Sequence, residues 1–65
     1  MKIEVGDLVK VEPGAIQRDL VGKVGIATES VTMDFICTWF VVFSDNEVYW
    51  IDKNDLTIVS PCAIV

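Results

Sequence analysis

Apolar and polar positions alternate in short runs along this chain, and no window sustains an apolar repeat at helical spacing. Val, Ile, Thr, Phe and Trp fill the runs, while Gly, Pro, Asn and Asp separate them. Residues of the first kind fit a pleated, half-buried surface, and those of the second kind punctuate it. The pattern predicts strands over residues 8–12, 21–30, 35–43, 47–51 and 56–59. A Gly6-Asp7 turn opens the first strand and Pro13-Gly14 closes it; residues 15–20 then cross as a loop or a short helical turn. Gly22 and Gly25 fall inside the second strand pattern, where they mark a bulge or a close backbone approach. Residues 31–34 read as a loop, Ser44-Asp45-Asn46 as a tight turn, and residues 52–55 as one turn of 3₁₀ helix before the last strand, which Pro61 stops. Short strands in one small domain need closure to protect their edges. The expectation is therefore all-β: a small, bent barrel of about five antiparallel strands.

Most informative is the hairpin of residues 35–51. With a two-residue turn at Asp45-Asn46, Val41 faces Trp50 and Phe43 faces Val48. One face then carries Phe35, Cys37, Trp39, Val41, Phe43, Val48 and Trp50, and the other carries Ile36, Thr38, Phe40, Val42, Tyr49 and Ile51. The stretch Tyr49-Trp50-Ile51-Asp52-Lys53-Asn54-Asp55-Leu56 resembles the end of an SH3-like barrel, and that resemblance would instead bury Ile51 and leave Trp50 at the surface, which requires a longer turn or a bulge. The pattern leaves both registers open, but each face is apolar, whereas a small barrel has one interior. Several of Trp39, Phe40, Tyr49 and Trp50 are therefore expected to face solvent.

Composition narrows the class. The chain has 65 residues, 52% of them hydrophobic, with 5 basic and 10 acidic side chains and a formal charge of −5. That length limits it to one domain, read as residues 1–60 with a tail at 61–65, and the apolar fraction excludes intrinsic disorder. The acid excess argues against general nucleic-acid binding, which draws its affinity from neutralising phosphates. Residues 1–12 alternate and carry charge, unlike a signal peptide, and the longest uncharged run, residues 35–44, is far too short for a membrane helix. Cys37 and Cys62 are the only cysteines and form no C-x-x-C. Cys37 reads as a free thiol in an apolar run, a Cys37–Cys62 disulfide would need close Cα atoms, and the expected compartment is the reducing cytoplasm. The final Cys62-Ala63-Ile64-Val65 matches C-a-a-X formally, yet it ends in Val and lacks a preceding polybasic segment, so it reads as a chance match in a tail.

No catalytic constellation is legible. There is no histidine, and Ser30, Ser44, Ser60 and Cys37 have no base to activate them. The carboxylate pairs Asp45/Glu47 and Asp52/Asp55 sit at turns, where turn chemistry explains them. Asp52-x-Asn54 lacks the glycine and glutamate of a calcium loop, and no helix follows Gly22 and Gly25 as a phosphate loop requires. Neither enzymatic activity nor a cofactor, metal or small-molecule substrate is expected.

Two stretches resemble known families. Gly6-Asp7, Val9, Val11 and Gly14, followed by Val21-Gly22-Lys23-Val24 and Gly25, resemble a KOW motif, found in ribosomal proteins and transcription elongation factors. Tyr49-Trp50-Ile51-Asp52-Lys53-Asn54-Asp55-Leu56 resembles the last strands and 3₁₀ turn of SH3-like barrels, and the outline of residues 5–59 is similar to the SH3-like peripheral subunit of photosystem I. These resemblances imply an SH3-like barrel, a fold that hosts many unrelated activities. The KOW resemblance implies RNA or ribosome association, although its turn offers only Arg18 and Lys23 as cations. The aromatic start motif of peptide-binding SH3 domains is absent. The expected role is a small interaction module that binds a protein or a second copy of itself. Trp39, Phe40, Tyr49 and Trp50 are its expected contacts, with Arg18 and Lys23 at the rim. An RNA-associated factor is the alternative and would need Lys10, Arg18, Lys23 and Lys53 to converge.

Overall fold

A computed structural model of the chain describes residues 2–61. The expected Cys37–Cys62 question and the C-a-a-X tail therefore involve residues outside the described ones. The strands are β1 (Leu8–Val11), β2 (Val24–Met33), β3 (Ile36–Phe43), β4 (Val48–Asp52) and β5 (Leu56–Ser60). Two 3₁₀ turns, Arg18–Leu20 and Lys53–Asp55, interrupt the connections. All pairings are antiparallel, and a single sheet runs in the order β4-β3-β2-β1-β5. This is the small all-β architecture expected from the alternation, and its strand order is compatible with an SH3-like barrel.

Strand β2 does most to shape the sheet. Its first residues pair with β1 on one side, Leu8 opposite Ile26 and Lys10 opposite Val24, while its whole length pairs with β3 on the other. A register shift between Ala27 and Glu29 bends it, and the Thr28 hydroxyl, at the shift, donates to the Phe40 carbonyl at 3.0 Å. Gly25 makes the crossing tight. A Cβ there would lie 2.7 Å from both the Val42 carbonyl oxygen and Val41 Cγ1, and 2.9 Å from Phe43 Cδ1. This is the close approach that the second-strand glycines suggested. Gly22 serves differently, taking a φ of +85° in the turn before β2.

The core lies on the inner face and draws on every strand. Val9 and Val11, Ala27, Trp39, Val41 and Phe43, Ile51, and Leu56 pack there, joined by Ile3, Ala15 and Leu20 from the connections. The 15–20 connection closes over the β4 edge, where the Gln17 side-chain amide donates to the Trp50 carbonyl at 3.3 Å.

One charge is buried in this shell. Asp7 is 4% exposed, and its carboxylate accepts the Glu4 N–H at 2.8 Å. The Asp7 N–H donates to the Glu4 carbonyl, and Gly6, at φ +94°, donates to the Ala27 carbonyl. The result is a closed turn over residues 4–7 ahead of β1, with Ile3 before it buried in the core.

One expected connection differs, and one turn settles a choice. Residues 31–34 are not a loop: β2 continues to Met33, which pairs with Ile36 across a two-residue turn, Asp34-Phe35. Both turn residues have positive φ, 51° and 66°, the geometry of a type I′ turn. The β3–β4 turn uses all three residues of Ser44-Asp45-Asn46, which decides the register that the pattern left open. The Phe43 N–H donates to the Glu47 carbonyl at 2.8 Å across it, the Asn46 N–H donates to the Phe43 carbonyl at 3.0 Å, and Asn46 takes φ +67°. The extra residue sets Phe40 opposite Trp50 and Val41 opposite Tyr49.

Gly25→Ala is expected to destabilise the fold by about 1–3 kcal/mol, because its Cβ meets backbone as well as side chains. Gly14→Ala, with nothing within 4 Å and no positive φ, should stay within about half a kcal/mol of wild type. Urea denaturation of both variants checks the contrast. Asp7→Ala is expected to cost about 1–3 kcal/mol by leaving the Glu4 N–H without its acceptor, and hydrogen exchange should quicken at Glu4.

Candidate apolar docking face

The three-residue turn decides which aromatics face outward. Trp39 joins the inner face and is buried, with Ile51 opposite. It is a core residue, so the expectation that it contacts a partner on the exposed face does not fit its position. Tyr49 also points inward and is half-buried, its ring 6.0 Å from that of Phe43. Phe40 and Trp50 are the pair on the outer face. They sit opposite each other with ring centroids 4.6 Å apart at 40°, Phe40 half-buried and Trp50 44% exposed. The longer-turn register weighed from the sequence is the one the chain adopts.

Around this pair the outer face is apolar across four strands. One row runs Leu8, Ile26, Val42, Val48; the next holds Phe40 and Trp50 beside Glu29; Val31, with Thr38 and Asp52, follows; Met33 and Ile36 close the far end. Ile26 is 48% exposed and Ile36 56%, so these are accessible side chains rather than a covered layer. Single exposed apolar residues are ordinary, but a contiguous set of this breadth marks an interaction surface. Its charged neighbours are mostly acidic. Glu29 stands beside Phe40, and Asp52 stands opposite Thr38 on the adjacent row. Lys10 lies at the far side of the face, opposite Val24.

The two expected rim cations have different neighbours. Arg18 sits on the first 3₁₀ turn, where it lines a hollow of about 380 Å³ with Ile16, Gln17, Leu20 and Tyr49. Lys23 reaches the β3–β4 turn, 3.4 Å from the Asp45 carboxylate and 6.0 Å from the Phe43 ring centroid. The Glu47 N–H, donating to Asp45 at 3.1 Å, and secondarily Lys23 hold the Asp45 carboxyl below its ordinary 3.8. Any stabilisation from this exposed turn is therefore present above that ordinary value and lost as pH falls through the lowered one. Lys53 lies beyond the other end of β4, so Lys23 and Lys53 are separated by the whole strand. Lys10 pairs with Val24, next to Lys23, so Lys53 stands apart from at least that part of the set required for an RNA surface.

No protein-family model, curated protein or solved structure matches the chain. The KOW and photosystem I resemblances thus rest on the quoted residues alone, and the fold on its strand order. Among the described residues, no group of three or more His, Cys, Asp or Glu side chains is arranged to hold a metal, and no helix is long and apolar enough to cross a membrane. Cys37 is a free thiol, half-buried on the inner face.

The sequence pattern named Phe40 and Trp50, with Val48 on the face of Trp50, but not Ile26 and Met33 as their neighbours. The signal for Ile26 was present: it alternates with Gly25 and Ala27, whose small size marks the tightly packed inner side. Phe35 has a different character. It is fully exposed at the tip of the β2–β3 hairpin and occupies the left-handed position that type I′ turns usually give to glycine. Phe35→Gly is expected to raise stability by about 1 kcal/mol through relief of that backbone cost. Thermal and urea unfolding would measure it, and an unchanged or lowered stability would mean that the ring makes a stabilising contact.

Proposed function

We propose that this chain is a non-enzymatic interaction module that docks a protein partner on its outer sheet face, centred on the Phe40–Trp50 pair. The observation that carries this reading is the exposed apolar surface running from Leu8 and Ile26 to Val48 and Trp50, which Val31 alone continues to Met33 and Ile36. Aromatic side chains at the centre of such a surface are the usual anchors of binding energy. Trp50 is accessible while resting on Phe40, so its ring is already held in place and little side-chain entropy remains to be lost on binding.

Charge favours a different protein over a second copy. Glu29 and Asp52 flank the aromatic pair, and the chain carries −5 overall, so two such faces would meet with like charges at the rim. A partner with an apolar patch bordered by Lys and Arg complements both features. The alternative of an RNA-associated factor draws support from the KOW-like residues of the N-terminal half, and is weakened by the separation of Lys53 from Lys10 and Lys23.

Trp50→Ala and Ile36→Ser, both at exposed positions, are expected to lower affinity for a purified partner at least about tenfold while leaving the fold intact. The partner would be identified by crosslinking in the source cell and the affinities measured by calorimetry. Sedimentation of the chain alone is expected to show a monomer. A concentration-dependent dimer abolished by Trp50→Ala would instead assign the face to self-association. Unaltered partner affinity in both variants would remove the face from consideration.

A further inference from the structure

The inner side of the β2–β3 hairpin bounds a second feature, a cleft of about 850 Å³ distinct from the outer face. Ser30, Thr32, Cys37 and Trp39 line one wall; Leu56, Thr57 and Ile58 line the other; among the described residues, Lys2 and Lys53 are the charged ones lining it. In a chain with 10 carboxylates and 5 cations, a cleft lined by two lysines and, among the described residues, no acid is a local reversal of charge. The Thr57 hydroxyl is already engaged with the Glu12 carboxylate, so the free polar lining comes from the β2 side.

The cleft also borders an incomplete sheet edge. Strand β1 accompanies β2 only as far as Leu8 opposite Ile26, and the Asp7 and Gly6 backbones add bonds to Ala27. The turn held by Asp7 ends the pairing there, and Lys2 and Ile3, before it, line the cleft with Ser30 and Thr32. From Glu29 to Met33, β2 pairs with β3 alone among the described residues. In a two-residue hairpin the residues flanking the turn, Met33 and Ile36, form the hydrogen-bonded pair, and pairs alternate from there. The N–H and C=O groups of Thr32 and Ser30 accordingly point away from β3, into the position β1 leaves vacant. Their side chains face the cleft, so both main chain and side chains of this edge address the same space.

We infer that this edge is a strand-addition site for an extended, acidic peptide segment of a partner protein. Backbone bonds to Ser30 and Thr32 would hold the segment, as in other cases of sheet augmentation. Alternate side chains of an added strand face the same way. An acid–x–apolar–x–acid sequence therefore sets its apolar residue over Trp39, Leu56 and Ile58 and its carboxylates toward Lys2 and Lys53. This inference is independent of docking on the outer face.

The test is an NMR titration of the ¹⁵N-labelled chain with an end-capped peptide pool of the acid–x–apolar–x–acid pattern. The expected result is movement of the Ser30 and Thr32 amide signals and the Trp39 indole signal, diminishing as salt rises. The Lys2→Glu/Lys53→Glu double variant should bind at least about tenfold more weakly, and a pool with lysine in place of the acids should not bind. Thr32→Pro removes one edge N–H at a position where proline is tolerated, and it should abolish binding while the spectrum stays dispersed. Trp50→Ala, which should disable the outer face, is expected to leave this titration unchanged. Three outcomes would overturn the inference: no movement of these signals at millimolar peptide, equal binding of the lysine pool, or binding of an oligothymidine but not of the peptides.

Discussion

Everything in this fold depends on how closely β2 and β3 approach at Gly25. Without a Cβ at that position the β3 backbone can pass within contact distance, and the sheet can curl tightly enough for a small core to be enclosed. The register shift at Thr28 then releases the outer half of the hairpin from that curl. One strand thus serves two purposes. Its first half belongs to the closed part of the molecule, with β1 alongside, and its second half runs free of β1 and supplies both the far end of the apolar face and the open edge beside the cleft. A small chain buries only about 60% of its unfolded surface, and here the apolar residues left outside are gathered on one face rather than scattered.

The two surfaces differ in the physics they offer. The outer face presents packed side chains with an acidic border and no free backbone, so recognition there would depend on shape and apolar contact. The cleft edge presents backbone donors and acceptors with two lysines, so recognition there would depend on hydrogen-bond register and charge sign. Asp7 connects them. The turn it anchors stands between β1 and the segment that sends Ile3 into the core and Lys2 to the cleft.

Much of the fold was legible in the chain because alternation and turn residues agree: all five strands and the closing 3₁₀ turn lie where the pattern places them to within a few residues. The failures are physical rather than random. Asp34-Phe35 contains no glycine, so a turn with two positive φ angles could not be read there, and β2 ended too early. Ser44-Asp45-Asn46 suits either a two- or a three-residue turn, and that single residue exchanges the two faces of β4, burying Ile51 and exposing Trp50. Trp39 was placed among the exposed candidates because both faces looked equally apolar; small residues opposite, at Gly25 and Ala27, identify the inner side once pairing is known. The cleft could not be foreseen at all, since Lys2, Ser30 and Lys53 meet only through tertiary closure.

The pairing of Leu8 with Ser60 has a kinetic consequence. It joins the two ends of the sheet across nearly the entire chain, whereas β2, β3 and β4 are connected by tight local turns. Loop-closure entropy penalises the distant pairing most, so topology implies that the β2–β4 meander assembles first and β5 arrives last. During that interval Trp39, Val41, Phe43 and Ile51 lack the cover of β1 and β5 and could bind their counterparts on another molecule. The repulsion between chains of charge −5 opposes that encounter. The acid excess that borders the finished surface would therefore already be useful before that surface exists, by keeping half-assembled molecules apart.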